Sequence, residues 1–349
     1  MSLDHRPDAP QNVTPTVPGC NPRVSVIAPL YNCEPYVAAA IDSVVAQTFA
    51  DWELVVTDDG STDRSAEIVE EIARREPRVR LLRQENSGGP AAPRNRALAE
   101  ATGELVCFLD PDDLFDPHRL ETQVGVLDRF PDIGAVFSDM DVFSDDARLV
   151  DGIPVDGLSY LGRADWHARA APFLEDVGED LYRCSEDFYR FMSTQVTSVT
   201  VQTVMVRRDV LDRCDGPFDE SLLLAEDIDL WFRIALETRL LYVDRPLAYY
   251  RQHESSIMAN KEQQLRAFVI GHSRNLERAR SILDPEALAH IRRKIAAVQV
   301  DLGYHFVTTG RYAEGRRWYR QALSDLPAAR VVRVWLKSWI RQGLARVGR

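Results

Sequence analysis

Clusters of acidic side chains follow two apolar segments of this 349-residue sequence, each where a buried strand is predicted to end. The first cluster is the DDGS stretch at 58–61, and the second is the DPDD stretch at 110–113. Like charges a few ångströms apart cannot all stay ionised unaided. We therefore expect a hard divalent cation, Mg²⁺ or Mn²⁺, which prefers oxygen ligands and often binds substrate phosphates too. The alternative is that aspartate and glycine simply form turns at strand ends.

Alternating apolar and amphipathic segments predict the elements that position these acids. Strands are predicted at 24–30, 53–57, 79–82, 105–109 and 134–137. Helices are predicted at 36–47, 63–75, 93–102 and 117–129, the second opening on a Ser-Thr-Asp start signal. This alternation is typical of an α/β fold with a mostly parallel sheet flanked by helices. Ligands bind such sheets beyond the carboxyl ends of the strands, where both acidic clusters fall.

Missing motifs disfavour several classes of protein. The sequence has no G-x-G-x-x-G after a strand, no G-x-x-x-x-G-K-[ST] and no G-x-S-x-G, which argues against dinucleotide oxidoreductases, P-loop NTPases and Ser-His-Asp hydrolases. The five cysteines are scattered and indicate neither a disulfide framework nor a zinc site. A net charge of −12 argues against nucleic acid as the main partner. The glycine-rich stretch 86–90 lets backbone amides approach a phosphate or a base, or forms a plain turn.

Six stretches in order resemble the family-2 glycosyltransferases of the GT-A fold, over roughly residues 23–256. They are VSVIAPLYN at 24–32, ELVVTDDGSTD at 53–63, NSGGPAAPRNRAL at 86–98, GELVCFLDPDD at 103–113, LLLAEDIDLWFRI at 222–234 and YYRQHESS at 249–256. The resemblance implies a GT-A, Rossmann-like sheet. It also implies an inverting transfer of a sugar from a nucleotide-diphosphate donor, assisted by Mn²⁺ or Mg²⁺.

The resemblance also implies roles for single residues. Those similar to donor-binding positions of the family, around the base, the ribose and the diphosphate, are Pro29, Tyr31, Asp58, Asp59, Arg94 and Asp110. Asp112 is similar to the metal-binding acid of the D-x-D pair, and His253 to a histidine that touches the metal or diphosphate in some members. Asp227 is similar to the catalytic base. Asp113 and Glu226 are secondary candidates.

Structural alternatives stay open for these residues. Asp227 and Asp229 open a helical pattern, and acids in a first turn also stabilise a helix through its dipole. His253 is equally compatible with a structural or surface role, Tyr31 with core packing and Arg94 with a surface helix position. Pro93 stands where the family usually has a small residue, which is expected to shift the start of its helix.

The sequence predicts three regions: a flexible tail at 1–22, a GT-A domain at 23–256 and a helical region at 257–349. Within the domain, 23–138 is the nucleotide-binding half and 139–256 the acceptor half. The acceptor half contains aromatic residues that suit sugar stacking or a hydrophobic core. In the helical region, residues 302–327 follow tetratricopeptide-repeat spacing, for which a generic helical hairpin is the alternative.

The last 22 residues carry six cations and no acid. A helix there would place Arg330, Arg333, Lys337 and Arg341 opposite a face with two tryptophans, which is typical of an interfacial membrane helix. The alternative is a helix docked on the preceding hairpin. No signal peptide or membrane span is recognisable, so we expect a cytoplasmic protein in peripheral contact with the inner membrane surface.

The sequence thus predicts a metal-dependent, inverting, non-processive glycosyltransferase that uses a nucleotide sugar, in particular a UDP-sugar. The expected acceptor is a saccharide or lipid-linked glycan in cell-surface polysaccharide assembly. One alternative is a catalytically silent nucleotide-sugar-binding scaffold that acts through the helical region. A nucleotidyltransferase is disfavoured, because the Gly-rich, Lys-containing signature that it needs after the first strand is missing. The oligomeric state stays open.

Overall fold

The computed structural model describes residues 21–162, 165–195, 199–214, 216–253, 260–325, 332–333 and 335–339. Nearly all of the tail predicted at 1–22 lies outside these residues. So do Arg330, Arg341 and most of the predicted terminal helix, as well as Pro327.

The described strands are β1 Val24–Leu30, β2 Trp52–Asp58, β3 Val79–Arg83, β4 Leu105–Phe108, β5 Leu114–Phe115, β6 Ile133–Ser144, β7 Leu149–Val150, β8 Ile153–Pro154, β9 Leu158–Ser159, β10 Leu174–Gly178, β11 Leu181–Cys184, β12 Met205–Arg207 and β13 Arg239–Gln252. The α-helices are α1 Val37–Val45, α2 Ser65–Ala73, α3 Ala91–Glu100, α4 Arg119–Arg129, α5 Trp166–Ala170, α6 Phe188–Thr194, α7 Arg208–Arg213, α8 Glu226–Glu237, α9 Lys261–Ala279, α10 Pro285–Thr308 and α11 Tyr312–Asp325.

One mixed sheet dominates the described residues, in the order β10-β11-β13-β6-β12-β4-β1-β2-β3. In its first half β1 lies between β2 and β4, and all these strands are parallel. In its second half β13 runs parallel to β6, while β12 is inserted antiparallel between β4 and β6. The α/β class with a mostly parallel sheet is therefore confirmed. Because β12 opposes both of its neighbours, the carboxyl ends of β1, β2, β4, β6 and β13 share one edge.

The first strands are buried on both faces, as expected for parallel strands covered by helices on either side. Every residue of β1 and β2 is buried. Along β1 the side chains alternate, so that Val26 and Ala28 join one hydrophobic cluster while Ile27 joins the other. This alternation follows from the two-residue period of a strand. Because both faces of these strands are covered, a ligand can reach them at the edge of the sheet where the strands end.

Several predicted boundaries differ from the structure. α3 begins at Ala91, two residues before its prediction, because Pro93 lies in the first turn, where a missing N–H removes no intrahelical bond. The predicted cap of α2 is displaced: Asp63 accepts hydrogen bonds from Ser65, and the helix begins at that serine. β6 extends to Ser144, seven residues beyond its prediction.

Three long helices form the described part of the C-terminal region that was predicted to be all-helical, and the first two start with clear signals. Asn260 and Asp284 cap α9 and α10 by accepting backbone N–H bonds, and Pro285 follows at the first helical position. Gly303 of α10 lies against the ring of Tyr319 of α11, with no room for a Cβ. The described residues at the predicted repeat positions are buried: Leu302, Gly303, Phe306, Gly315, Tyr319 and Ala322.

Candidate functional site

Pro29 and Tyr31 lie at the end of β1, where the sheet edge opens. Pro29 is buried and aligned with Thr57 of β2, whereas Tyr31 is 50% exposed, so core packing of that tyrosine is excluded. Asn32 has a left-handed backbone (φ 51°), a conformation that asparagine tolerates better than most residues. Its side-chain oxygen accepts the N–H of Thr62, which joins the ends of β1 and β2.

Asp58 and Asp59 are both buried at the end of β2. The Asp58 carboxylate accepts the N–H of Ser61 and closes its own turn. The Asp59 carboxylate accepts hydrogen bonds from the side chain of Gln84 and from the N–H and hydroxyl of Ser87. Asp59 therefore holds the glycine-rich stretch against the end of β2. A carboxylate fixed in this way presents its remaining lone pairs in a defined direction.

Arg94 is 3% exposed, so the alternative of a surface position is excluded. One guanidinium nitrogen donates to Glu226 at 2.6 Å and another donates to Asp110 at 2.7 Å. Burial alone would lower the pKa of Arg94, but the carboxylates of Asp110, Glu226 and Asp227 outweigh it and raise that pKa. Through this one side chain, α3 joins acids that are 116 residues apart in the chain.

The loop after β4 holds three acids in distinct surroundings. Asp110 accepts hydrogen bonds from Arg94 and from Gln202. Asp112 is partly exposed; burial and the charge of Asp110 raise its pKa, and the hydrogen bond with His253 partly offsets that rise. Asp113 is fully buried, and burial with the two neighbouring acids raises its pKa well above the ordinary range. Asp112 is thus the acid of this loop best placed to meet a ligand together with His253.

Asp112 and His253 form the pair that fits a divalent cation. The Nε2 atom of His253 lies 3.0 Å from Oδ2 of Asp112. Adjacent ligands of an octahedral cation with bonds of about 2.1 Å lie about 3 Å apart. Within the part of the chain that the structure describes, no three acidic, histidine or cysteine side chains converge on one point. The pair matches Mg²⁺-type sites, in which one or two protein ligands are completed by substrate phosphates and water.

Asp227 lies in the first turn of α8, beside the Arg94 cluster. Burial and the neighbouring charge of Glu226 raise its pKa to about 7, although Arg94 partly offsets this rise. Its carboxylate accepts the N–H of Ile228. Among the described residues it has no ion pair, whereas Asp229 of the same helix pairs with Arg233 and Arg278. The two acids of one turn therefore differ: Asp229 is a structural anchor, and Asp227 is poised to gain or lose a proton near neutral pH.

The backbone that presents Asp227 is strained. Ala225 adopts a left-handed conformation (φ 65°) directly before Glu226. For a residue with a Cβ atom this costs about 1–2 kcal/mol, and such strain persists only where the surroundings impose it. Gly271 of α9 packs there: a Cβ on it would lie 3.3 Å from Cβ of Ala225 and 3.0 Å from Ile228. The C-terminal region thus buttresses the start of α8.

Several residues of this site are not among the candidates that the sequence offered. Gln202 binds Asp110, and Arg251 donates to the backbone oxygen of Asp112. Tyr36 places its ring 4.6 Å from the ring of His253. Arg251 falls inside the YYRQHESS stretch, so its position there was the available signal, whereas Tyr36 and Gln202 gave none.

The aromatic residues of the acceptor half divide into core and surface. Trp166, Phe188, Tyr189 and Phe191 are buried in one hydrophobic cluster, so for these four the alternative of a core is correct. Tyr160 is 39% exposed, and besides burial the charges of Asp227 and Asp139 raise its pKa. Tyr160 is therefore an exposed aromatic side chain of the acceptor half that lies outside this hydrophobic cluster.

The sequence profile described as glycosyl transferase family 2 matches residues 25–212, which is more than half of the chain. The chain belongs to this family. One relative, the UDP-Glc:alpha-D-GlcNAc-diphosphoundecaprenol beta-1,3-glucosyltransferase WfgD of Escherichia coli, is 29% identical over 245 residues, 70% of this chain and 82% of that protein. Two Bacillus subtilis relatives are matched over only 54% and 63% of their own length, so this family member spans between half and two thirds of them.

Solved glycosyltransferase structures share the fold. S. aureus TarS 1–349 in complex with UDP-GlcNAc aligns with a TM-score of 0.56 and 22% identity, over 92% of this family-2 chain and 88% of that one. The mannosyltransferase PcManGT from Pyrobaculum calidifontis, in complex with GDP-Man and Mn²⁺, aligns with a TM-score of 0.53 and 19% identity, over 95% and 83%. The expected GT-A fold is confirmed by this likeness. No described helix is long and apolar enough to cross a membrane.

Proposed function

We propose that this family-2 chain is a metal-dependent, inverting, non-processive glycosyltransferase with Asp227 as its catalytic base. The observation that carries the proposal is the double contact of Arg94, which donates to Asp110 and to Glu226 at 2.7 and 2.6 Å. This contact brings the loop expected to hold the donor next to the acid expected to serve the acceptor. A displacement at an anomeric carbon needs both functions on opposite sides of one reacting centre.

Each residue would have a defined part in the transfer. Asp227 takes the proton of the acceptor hydroxyl while the acceptor oxygen forms a bond to the anomeric carbon. The bond from that carbon to the diphosphate oxygen breaks, the electron pair leaves with the nucleoside diphosphate, and the configuration inverts. Arg94 keeps Asp110 and Glu226 in place during this exchange. A cation held by Asp112 and His253 would, when bound, offset the charge on the leaving diphosphate.

The donor is proposed to be a UDP-sugar and the transferred group a hexosyl or N-acetylhexosaminyl unit. The support comes from the name of WfgD, a UDP-Glc-dependent relative, and from the UDP-GlcNAc complex of TarS. Pro29, Tyr31, Asp58 and Asp59 lie at the adjoining ends of β1 and β2, where they would receive the base and ribose. The half-exposed ring of Tyr31 provides a stacking surface for them.

The acceptor is proposed to be a saccharide or lipid-linked glycan in cell-surface polysaccharide biosynthesis. WfgD, by its name, acts on a GlcNAc-diphosphoundecaprenol. In this chain the ring of Tyr160, which is 39% exposed, would provide a stacking surface for an acceptor sugar. The substitution Tyr160→Phe should keep the ring surface and retain transfer, whereas Tyr160→Ala should raise the KM for the acceptor more than it lowers kcat.

Contact with the inner membrane surface is part of the proposal, because a lipid-linked acceptor would be presented there. In the described part of the terminal segment, Val332, Leu336 and Lys337 are exposed, and the half-exposed ring of Trp339 lies 3.8 Å from the guanidinium of Arg316 in α11. A flotation assay with anionic liposomes should show the full chain rising with the lipid and a chain ending at Pro327 remaining below. Equal behaviour of the two would remove membrane contact from the proposal.

A panel of nucleotide sugars tests the function as a whole. Binding and hydrolysis are measured with Mn²⁺, with Mg²⁺ and with chelator, for the wild type and for Asp112→Ala and Asp227→Asn. We expect one UDP-sugar to bind in a metal-dependent way, Asp112→Ala to lose that metal-dependent binding, and Asp227→Asn to bind without turnover. If no nucleotide sugar binds with either metal, the transferase proposal fails. If the wild type binds a nucleotide sugar but neither hydrolyses it nor transfers its sugar to any acceptor, the scaffold alternative is favoured.

A further inference from the structure

We propose that Arg251 is a positioning residue that sets the geometry of Asp112 and His253. The inference rests on the proposed function, because it assigns Arg251 to the pair expected to hold the metal. None of the roles implied by the resemblance falls on Arg251, and its guanidinium is engaged by other residues of this chain. Its side chain is only 10% exposed, so a positive charge is buried beside the acidic loop.

Arg251 holds the acidic loop through its backbone and its side chain. Its N–H donates to Oδ1 of Asp113 at 2.9 Å, and its Nε donates to the backbone oxygen of Asp112 at 3.0 Å. The first bond explains why Asp113 is buried: this acid ties the loop to β13 and is not presented to a ligand. The second bond fixes the peptide on which the Asp112 side chain is mounted. Both contacts join segments 138 and 139 residues apart.

The same guanidinium reaches His253 by a second route. Its Nη1 donates to Oδ1 of Asp145 at 3.2 Å, and the other oxygen of Asp145 accepts the hydroxyl of Tyr36 at 3.2 Å. The Tyr36 ring then lies 4.6 Å from the His253 ring, whose Nε2 returns to Asp112. Arg251, Asp145, Tyr36, His253 and Asp112 thus form a closed circuit from four separate segments. Both residues of the candidate metal pair, Asp112 and His253, belong to this circuit.

The planar guanidinium suits this role in a way that a lysine would not. It lies 5.0 Å from the Tyr36 ring and 4.6 Å from the Phe143 ring, so it packs between aromatic faces while its edge donates hydrogen bonds. Lysine would keep the charge but could not direct donors at fixed angles toward both Asp112 and Asp145. Residues that orient metal ligands in this way are commonly worth 10–100-fold in metal affinity.

The test measures Mn²⁺ binding in the presence of UDP, by the loss of the free Mn²⁺ signal in electron paramagnetic resonance. Variants of the full chain are Arg251→Lys and Asp145→Asn, with Asp112→Ala as the reference for a missing ligand. Arg239→Lys is the matched control, since Arg239 lies at the opposite end of the same strand in an exposed pair with Glu186. Binding of UDP without metal and the melting temperature are recorded for every variant.

We expect Arg251→Lys to weaken Mn²⁺ binding by about 10–100-fold. Asp145→Asn should weaken Mn²⁺ binding by a smaller factor, because this acid is half exposed. A variant that carries both Arg251→Lys and Asp145→Asn should bind Mn²⁺ no more weakly than Arg251→Lys alone. UDP binding without metal should stay unchanged in all of them, and Arg239→Lys should match the wild type. Wild-type Mn²⁺ affinity in both Arg251→Lys and Asp145→Asn would overturn the inference and leave the proposed function standing. If the wild type itself binds no Mn²⁺ with UDP, both fall.

Discussion

The two acidic regions of the site balance their charges in different ways. In the loop after β4 each acid has a partner: Asp110 has Arg94, Asp112 has His253 and Asp113 has the N–H of Arg251. At the start of α8, Glu226 binds the other arm of Arg94 and Asp229 binds Arg233 and Arg278, whereas Asp227 has no ion pair among the described residues. Asp227 therefore keeps a raised pKa of about 7, since burial and Glu226 outweigh the attraction of Arg94.

This difference teaches how one buried cation can produce two chemistries. Satisfied acids form a fixed frame in which a diphosphate and a cation can be received. Asp227, which has no ion pair in the part of the chain that the structure describes, is the acid whose proton affinity suits a general base near neutral pH. Arg94 determines which acids are neutralised, because its two guanidinium arms donate to Asp110 and Glu226 and not to Asp227.

The largest effect should come from Asp227→Asn, measured against Asp229→Asn in the same turn. Removing a general base typically costs 10²–10⁴ in rate, so we expect kcat of Asp227→Asn to fall by about 10³. Binding of the nucleotide sugar should be unchanged. Steady-state transfer with calorimetric donor binding measures both. A kcat within tenfold of the wild type would show that the base lies elsewhere.

The substitution Asp227→Asn should raise thermal stability at alkaline pH, although it lowers activity. Its pKa is raised in the folded chain, so folding with this acid costs free energy that grows as the pH rises from about 4 to about 7 and stays at its full value above that. The variant should therefore melt slightly above the wild type at pH 8, and the difference should vanish below about pH 4, where the unfolded carboxyl is protonated too. A variant that melts lower at pH 8 would contradict the raised pKa.

Replacing Arg94 should damage both acidic regions at once. Removing one partner of a buried ion pair costs about 3–5 kcal/mol, and we expect Arg94→Gln to lose about 3 kcal/mol in free energy of unfolding. Its donor affinity should fall as well, because Asp110 loses its anchor. Urea unfolding and UDP binding are the measurements. Loss at only one of the two would mean that Arg94 serves one region and not both.

Asp229→Asn should affect stability and leave the chemistry nearly intact. Asp229 binds Arg233 and Arg278, and Arg233 also donates to the backbone oxygens of Cys214, Gly216 and Pro217. Because the two arginines keep partial exposure, we expect a loss of about 2 kcal/mol. Turnover per folded molecule, measured well below the melting temperature, should stay within about threefold. A loss of turnover as large as that of Asp227→Asn would end the distinction between them.

The smallest expected effect is a shift of the pH profile in Glu226→Gln. In the proposed mechanism the ionised form of Asp227 accepts the proton, so the rate should fall as the pH drops through about 7. Removing the charge of Glu226 lowers the pKa of Asp227, and the acidic limb of kcat should move to lower pH. A profile of kcat between pH 5 and 9 measures it. A limb that stays in place would assign the titration to another group.

The elements of the nucleotide-binding half could be predicted from the sequence more accurately than those of the acceptor half. β1 to β4 were predicted within one or two residues, because runs such as VSVIAPL are apolar and bounded by turn residues. The far end of β6 reads SDMDVFS, whose mixed polar and aromatic residues gave no strand signal. β13 contains Pro246 and was not predicted as a strand of 14 residues. Both strands depend on pairing with each other, which local sequence does not encode.

The site shows the same limit. The resemblance of short stretches to the family led to the candidates Asp112, His253 and Asp227, since each lies in one of the six matching stretches. The links among them depend on contacts across more than a hundred residues, such as Tyr36 to Asp145 and Arg94 to Glu226. No local pattern contains that information, so the partners of the candidate residues emerged only from the fold.

The most direct test of the account compares Asp227→Asn with Asp229→Asn in one assay of UDP-sugar turnover in the presence of Mn²⁺. Nucleotide binding is measured on the same samples to show that each variant is folded. The account predicts that Asp227→Asn binds donor but loses about three orders of magnitude in turnover, while Asp229→Asn turns over like the wild type. Turnover by Asp227→Asn at the wild-type rate, with donor bound, would contradict it.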